Sequence, residues 1–562
     1  MVAAGCRLSF CARAATAALL LAAAAAAQYP PVAPEAGDSD VRLSGAGVAG
    51  YVPGIDSAAT PQCVTTSDGT LHVAWLDYRT LDPKVGPRWS VLYRSVKNWQ
   101  AAATPADLVL GPETRLSAST LNATGLAMAG NGSNLVVFTW IEIEGSHEKL
   151  RARRLKLTGS STSLGNTNTL NTALQAAGNP YIGPPDIACV HTPGGQDYAY
   201  VTWAQYDGLP GSGAGLATGH DQVFFARSQN GGQSWSGPAS VADTVNLDRS
   251  SHHETPRLAA DALGGVYVAF LDTRLSVTGG AQALDVFVRS STDFGVDFGA
   301  ETQLSRACVA PPCLPPAFSA IRPSIAAPGN GTVAVAWIDA SCANFGRTLM
   351  RSRRSLDLGA SWDCETTVGR ATGLMLHVDT DLAASPTGQI WATWGRVDLD
   401  APPARTSVFA TRLDAATGVW QQERRVSVGG AVLGSKGAVP PLPRPRIVAD
   451  PAVSSRALVT WMHTENGFEQ EFDVVAAWTL DGGVSWHPPS AVVTEPGPVN
   501  RKTRAAFPVP VLAGSRAGIV WDDRRHWTNP IVAGLPLPPG SPQGAPSVYF
   551  NWIDLGAAGG VP

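Results

Sequence analysis

Charge is scarce in this chain. Only 15% of its 562 residues are Asp, Glu, Lys or Arg, and the formal net charge is −4. There is no basic excess to pull a nucleic acid phosphate backbone, and no acidic block of the kind that makes a disordered tail. Long apolar runs are missing beyond the first 27 residues, so no later segment reads as a membrane span. Helical periodicity is missing as well, which excludes a helix bundle. No His-Glu-x-x-His pattern is present, and no metal or other cofactor is expected. Cysteine is sparse: Cys6 and Cys11 sit at the N-terminus, leaving Cys63, Cys189, Cys308, Cys313, Cys342 and Cys364.

The first 27 residues read as a secretory leader. Arg7 and Arg13 supply a positive start, Ala14 to Ala27 an apolar stretch, and its small residues a cleavage site before Gln28. Residues 28–39 are then a short linker and 40–562 one domain. The expected location is secreted or periplasmic, where disulfides form. Cys308 and Cys313 share a proline-flanked loop and are the expected pair. Cys63 and Cys189 fall on separate repeat units and read as buried free thiols.

What the chain has in quantity is turn formers and tryptophan: 58 Gly, 43 Pro and 17 Trp. An apolar run ending in an aromatic occurs eight times, at Trp75, Trp140, Trp203, Phe270, Trp337, Trp394, Trp461 and Trp521. The spacings are 65, 63, 67, 67, 57, 67 and 60 residues. Each unit carries the same order: a short apolar segment, a Gly-containing turn, the aromatic-ended run, a loop, a third strand, a tight turn and a fourth strand. Four short strands in each such repeat are the pattern of a propeller blade. The tight turn is an octapeptide, Ser/Thr-x-Asp/Asn-x-Gly-x-x-aromatic, at Ser228–Trp235, Ser291–Phe298, Ser355–Trp362 and Thr479–Trp486. Its Asp or Asn is expected to bond backbone two residues on, and its Gly to take positive φ.

These octapeptides resemble the Asp-box of the sialidase-like (BNR repeat) β-propellers. The resemblance implies an all-β propeller of four-stranded blades. The straightforward count here is eight blades; seven with an irregular insertion, or six with extra sheet, are the alternatives. A sialidase catalytic domain has six. The last unit lacks a fourth strand, whereas Asp40-Val41-Arg42-Leu43-Ser44 looks like the fourth strands Glu113–Ser117, Glu301–Ser305 and Glu423–Ser427. The N-terminal strand is therefore expected to complete the final blade and close the ring.

Strand alternation puts the octapeptide turns on one face and the longer loops on the other, where binding is expected. Two sets of polar residues fall there. Asp77 with Arg79, Asp272 with Arg274, and Asp523 with its neighbours follow the aromatic of the second strand. Their recurrence favours a local ion pair over a ligand contact. Arg257, Arg322 and Arg446, with Arg444 and Arg504 nearby, lie at the channel ends of first strands, where guanidinium groups suit a carboxylate. The resemblance implies three Arg on the substrate carboxylate, a Tyr nucleophile with a Glu partner, and an Asp acid/base. The first of those Arg belongs to an Arg-Ile-Pro motif, and the matching place here reads Ala59-Thr60-Pro61. Asp82, Tyr78, Tyr181, Tyr206 and Glu254 are candidates by position alone. His252-His253-Glu254, His377 to Asp381 and His463-Thr464-Glu465 are the polar clusters that do not repeat. Two functions fit: a propeller that binds a carbohydrate or an extracellular protein without catalysis, or an exo-acting glycoside hydrolase of sialidase type on acidic sugars. The missing Arg-Ile-Pro and the extra blades favour the first.

Overall fold

The computed structural model describes residues 40–44, 57–79, 88–145, 147–159, 161–172, 181–206, 221–242, 253–274, 284–306, 320–340, 347–369, 373–400, 405–414, 417–427, 431–432, 443–463, 473–492, 506–523 and 547–555. These residues form eight antiparallel sheets of four or five strands. Blade 4 shows the plan, with strands His253–Ala260, Val266–Asp272, Asp285–Ser291 and Thr302–Gln303 from the channel outward. The only helix among the described residues is the single 3-10 turn Pro105–Asp107. The leader, the linker, and Cys308, Cys313 and Cys342 lie outside the described residues. Cys364 is disulfide-bonded, to a partner that also lies outside them. Cys63 and Cys189 are free thiols, the first buried and the second half-buried.

Eight apolar clusters make the core, each shared by two consecutive blades. Trp203 sits in the cluster between blades 2 and 3, Phe270 between 3 and 4, and Trp337 between 4 and 5. The closing cluster joins the chain ends: Leu43, Trp75, Trp99, Val511, Phe550 and Trp552 pack together. All eight second-strand aromatics are fully or almost fully buried. Their spacing in sequence is thus the pitch of the ring.

The N-terminal strand closes the last blade. Val41–Arg42 pairs antiparallel with Ser547–Asp554, Val41 opposite Phe550 and Arg42 opposite Tyr549. The apolar-Ser ending shared by fourth strands has a physical reason. The Ser hydroxyl oxygen accepts a bond from a third-strand amide in four blades: Val91 to Ser117, Val286 to Ser305, Val408 to Ser427 and Val548 to Ser44, all at 2.9–3.0 Å. The preceding Leu or Val is buried each time. Arg94 of blade 1 then donates to the Leu43 carbonyl at 2.7 Å, tying the closing strand to the next blade.

The four octapeptide turns are superposable in their bonding, and they differ from expectation in reach. The carboxylate or amide oxygen accepts the amide four residues on: Ser234 to Asn230, Asp297 to Asp293, Ser361 to Asp357 and Ser485 to Asp481, at 2.8–3.0 Å. The first-position hydroxyl donates to that same oxygen and accepts the Gly amide, as Ser355 does from Gly359 at 2.8 Å. Two successive residues take positive φ, for example Leu358 at 59° and Gly359 at 83°. Reaching four residues encloses both of them. The closing aromatic packs on the preceding blade, as Trp486 does edge-on to Trp391.

Two outcomes follow from these contacts. Deleting residues 40–44 removes the outer strand of blade 8 and part of the closing cluster, so the melting temperature falls sharply; unchanged melting contradicts closure by this strand. Asp357 is held down to about 2, from 3.8, by the hydroxyl and amide of Ser361 and the Ser355 hydroxyl. The ionised form therefore favours the fold above about pH 4, and that contribution is lost as pH falls through about 2. Asp357→Ala should cost about 1 kcal/mol at neutral pH. Asp357→Asn, which copies Asn230, should cost less and flatten the acid limb of a melting-temperature profile.

Candidate functional site

First strands begin on the long-loop face, and six of the eight enter through the same irregularity. A register shift separates Ala59 from Gln62, Glu254 from Arg257, Ile321 from Ser324 and Ala506 from Val509, with equivalents in blades 2 and 6. The residue at the shift has positive φ: Thr60 49°, Gly125 60°, Thr255 48°, Arg322 54°, Asp379 46°, Arg444 44° and Phe507 52°. Five of these precede a proline. The bulge re-aims the next side chains toward the channel. A left-handed conformation costs a bulky residue about 1–3 kcal/mol, a strain common at binding sites. Thr60, which stands where the resembled family has the Ile of Arg-Ile-Pro, is one of these bulge residues.

Opposite the residue that precedes the second-strand aromatic lies a ring of equivalent positions: Asp186, Arg257, Ser324, Asp381 and Arg446 in blades 3 to 7. In three of them the side chain clamps the neighbouring blade by accepting an amide from its first strand. Leu258 donates to Asp186 at 2.9 Å, Leu382 to Ser324 at 3.0 Å and Ile447 to Asp381 at 3.0 Å. Guanidinium has no acceptor, so Arg257 and Arg446 abandon the clamp. After Arg446, the matching residue of blade 8 is Pro510, which has no N–H to offer. The two Arg instead line a cavity of about 210 Å³ with Asp186, Ser324, Thr380 and Asp381.

The charges there are only partly matched. Arg446 reaches Asp381 at 3.8 Å, a loose pair, with more than half of the Arg side chain exposed. Arg322, one step toward the rim, pairs with Asp379 at 2.8 Å. Arg257 is exposed and forms no ion pair among the described residues. Burial pushes the Asp381 carboxyl up, while Arg446, the Ile447 amide, Arg257 and the Leu382 amide pull it down without cancelling that rise. The cavity thus presents guanidinium donors beside a carboxyl that burial makes harder to ionise.

The second set of sequence candidates is placed differently. Asp77 is buried and accepts the Trp75 indole N–H at 2.9 Å. Glu142, Gln205 and Asp523 take the indole of Trp140, Trp203 and Trp521 in the same way. Asp272, whose blade has Phe270 in place of Trp, is buried against Arg274, which also binds Glu301 at 2.6 Å and lies over Phe287. This position is a repeated strand-end anchor. Tyr78 is half-buried and tilts against Trp89, while Tyr181 is exposed. Asp82, His252 and Arg504 lie outside the described residues, as do the side chains of Arg79, Tyr206, His253 and Glu254. His377 and His463 are buried strand residues, not loop residues; burial lowers both to about 4, so they are neutral at physiological pH. Among the described residues no group of three His, Cys, Asp or Glu side chains could hold a metal ion. Sequence reasoning missed Asp186 and Ser324. The signal for Ser324 was the frame it shares with the two Arg, Thr-Pro-Arg, Arg-Pro-Ser and Arg-Pro-Arg in blades 4, 5 and 7; Asp186 follows two prolines and shows no such frame.

No family model and no curated protein matches this chain. Solved structures do. The Penicillium chrysogenum α-L-arabinanase complexed with arabinobiose is 15% identical over 66% of this chain and 93% of its own, with a TM-score of 0.32. The Hadza microbial sialidase Hz136 is 14% identical over 93% and 99%, at 0.36. A leech intramolecular trans-sialidase complexed with 2,7-anhydro-Neu5Ac is 10% identical over 86% and 90%, also at 0.36. The site described above rests on its own geometry.

The ring positions divide into clamps and non-clamps, and thermal melting separates them. Asp186→Ala strips the Leu258 amide of its acceptor and should cost about 1–3 kcal/mol. Arg257→Ala should leave melting within about 0.5 kcal/mol of wild type. A destabilised Arg257→Ala protein would show that this Arg is structural.

Proposed function

We propose that this protein is an exported, sialidase-like propeller, with the octapeptides as its Asp-boxes, that binds an acidic carbohydrate at the channel mouth opposite those turns. One observation carries this reading. At a ring position whose repeated job is to clamp blades together, Arg257 and Arg446 give up the clamp and face a polar cavity, Arg257 without a carboxylate partner among the described residues. Paired guanidinium groups in a concave site match a carboxylate, sulfate or phosphate on a sugar. Arg446, held loosely by Asp381, can turn from that carboxylate to the ligand. Arg322 is committed to Asp379 and sets the rim.

Hydrolysis is the second reading, and Asp381 is the observation in its favour. A carboxyl that burial makes harder to ionise, set beside a sugar site, is shifted in the direction a general acid needs. Binding is the preferred reading, because Ala59-Thr60-Pro61 stands where the Arg-Ile-Pro of the resembled family is expected and the ring has more blades than the six of a sialidase catalytic domain.

The test uses purified protein on a glycan array and on fluorogenic glycosides of sialic and uronic acids, wild type beside Arg257→Ala and Arg446→Ala. Capture of acidic glycans should weaken roughly 10- to 100-fold in each variant with melting unchanged. Asp381 stays protonated to higher pH than an ordinary carboxyl, which removes a repelling charge. Binding should therefore be tightest on the acid side and weaken as pH rises through the Asp381 pKa, and Asp381→Asn should abolish that dependence. Turnover lost in Asp381→Asn would select the hydrolase. Absence of both capture and turnover would defeat the acidic-sugar reading.

A further inference from the structure

On blade 8 an aromatic stands at the bulge beside the cavity. Phe507 is the bulge residue of blade 8, with φ of 52° and 37% of its surface exposed. Among the described Phe, Tyr and Trp side chains only Phe507 and Tyr181 are exposed; the others are buried or half-buried. The Arg444 guanidinium of blade 7 lies over its ring, 4.6 Å from the centroid. Arg444 is itself a bulge residue and stands two positions before Arg446. Arg444 and Arg446 are exposed and Pro445 between them is buried, so both guanidinium groups lie on the same exposed side of the strand. The stack is thus continuous with the cavity wall.

A guanidinium stacked on a ring keeps its N–H groups in its own plane, free to donate outward. The arrangement offers, side by side, an apolar surface fixed by its neighbours and a row of donors. A pyranose presents the same pair of features, since its C–H groups make an apolar face and its hydroxyls ring the edge. The left-handed backbone at both residues supports this use. Thr60, Thr255, Arg322 and Asp379 hold the equivalent places in other blades. Each is polar, so the aromatic is a departure from the repeat, as Arg257 and Arg446 are at the ring below.

We infer that Phe507 and Arg444 form a second subsite, which takes the sugar unit linked to the acidic one and makes the protein a reader of at least a disaccharide. This rests on the acidic-sugar reading of the cavity. Phe507 would support the apolar face of the second ring, and Arg444 would donate to its hydroxyls. The occupant is a neutral or acidic pyranose of an oligosaccharide.

The experiment is calorimetric titration with two probe pairs: galacturonate against its α-1,4-linked dimer, and N-acetylneuraminate against 3′-sialyllactose. Wild type should bind the longer member of the recognised pair roughly 3- to 10-fold more tightly than the monosaccharide. Phe507→Leu, which keeps bulk without the flat ring, should bind the monosaccharide as wild type does and lose that gain; Phe507→Trp should keep or enlarge it. Equal affinity of wild type for monosaccharide and dimer, or a gain that survives Phe507→Leu, overturns the second subsite and leaves the cavity reading standing. Failure of wild type to bind any of the four probes overturns the cavity reading and the subsite with it.

Discussion

Closure of the ring between the two ends of the chain is the constraint on which everything else depends. Each blade exposes an apolar flank that only the next blade can cover, and the last flank is covered by the first blade. Leu43, Trp75, Val511 and Phe550, drawn from both ends of the sequence, meet in that final cluster. The closing strand adds edge pairing, and Ser44 accepts the Val548 amide as other fourth strands do within their own blades. With the circle complete, the first strands of consecutive blades are crowded against one another all the way around the channel. The clamps from Asp186, Ser324 and Asp381 to the following strands are a consequence of that crowding.

A repeated structure separates scaffold from function by its own regularity. Asp77, Glu142, Gln205 and Asp523 look catalytic one at a time, each being polar and at a strand end on the loop face. Taken together they are one anchor used in several blades, with an indole on the same strand face as its partner. The ring of clamps is read the same way, and there the exceptions matter. Arg257 occupies a place where the scaffold asks for an acceptor and cannot supply one, and Arg446 a place where the next strand offers Pro510 and no N–H. Phe507 occupies a place otherwise given to polar residues or Gly125. These departures lie around one opening of the channel.

Much of the architecture was legible in the sequence, because it is encoded within single strands and turns. The aromatic spacing, the octapeptides and the Leu-Ser ending of fourth strands are each local patterns. Blade number and closure by residues 40–44 follow from counting them. The site was only half legible. Arg257 and Arg446 stood out by charge, but Asp186 and Ser324 did not, because the bonds they make cross to a blade some sixty to seventy residues away. The bulge was hidden for a different reason. A residue before proline is expected to be extended, and nothing local announces that Thr255, Arg322 or Arg444 turns left-handed. His377 and His463, grouped by sequence among the polar clusters that do not repeat, prove to be buried residues near strand ends.

The account stands on the claim that Arg257 and Arg446 are held for a ligand and not for the fold. The most direct measurement is a crystal structure of the protein soaked with an acidic monosaccharide, galacturonate or N-acetylneuraminate. The account predicts the sugar's carboxylate bridged between the Arg257 and Arg446 guanidinium groups, with Arg446 turned away from Asp381. A sugar bound away from the channel mouth, or a mouth unchanged at saturating sugar, would contradict it.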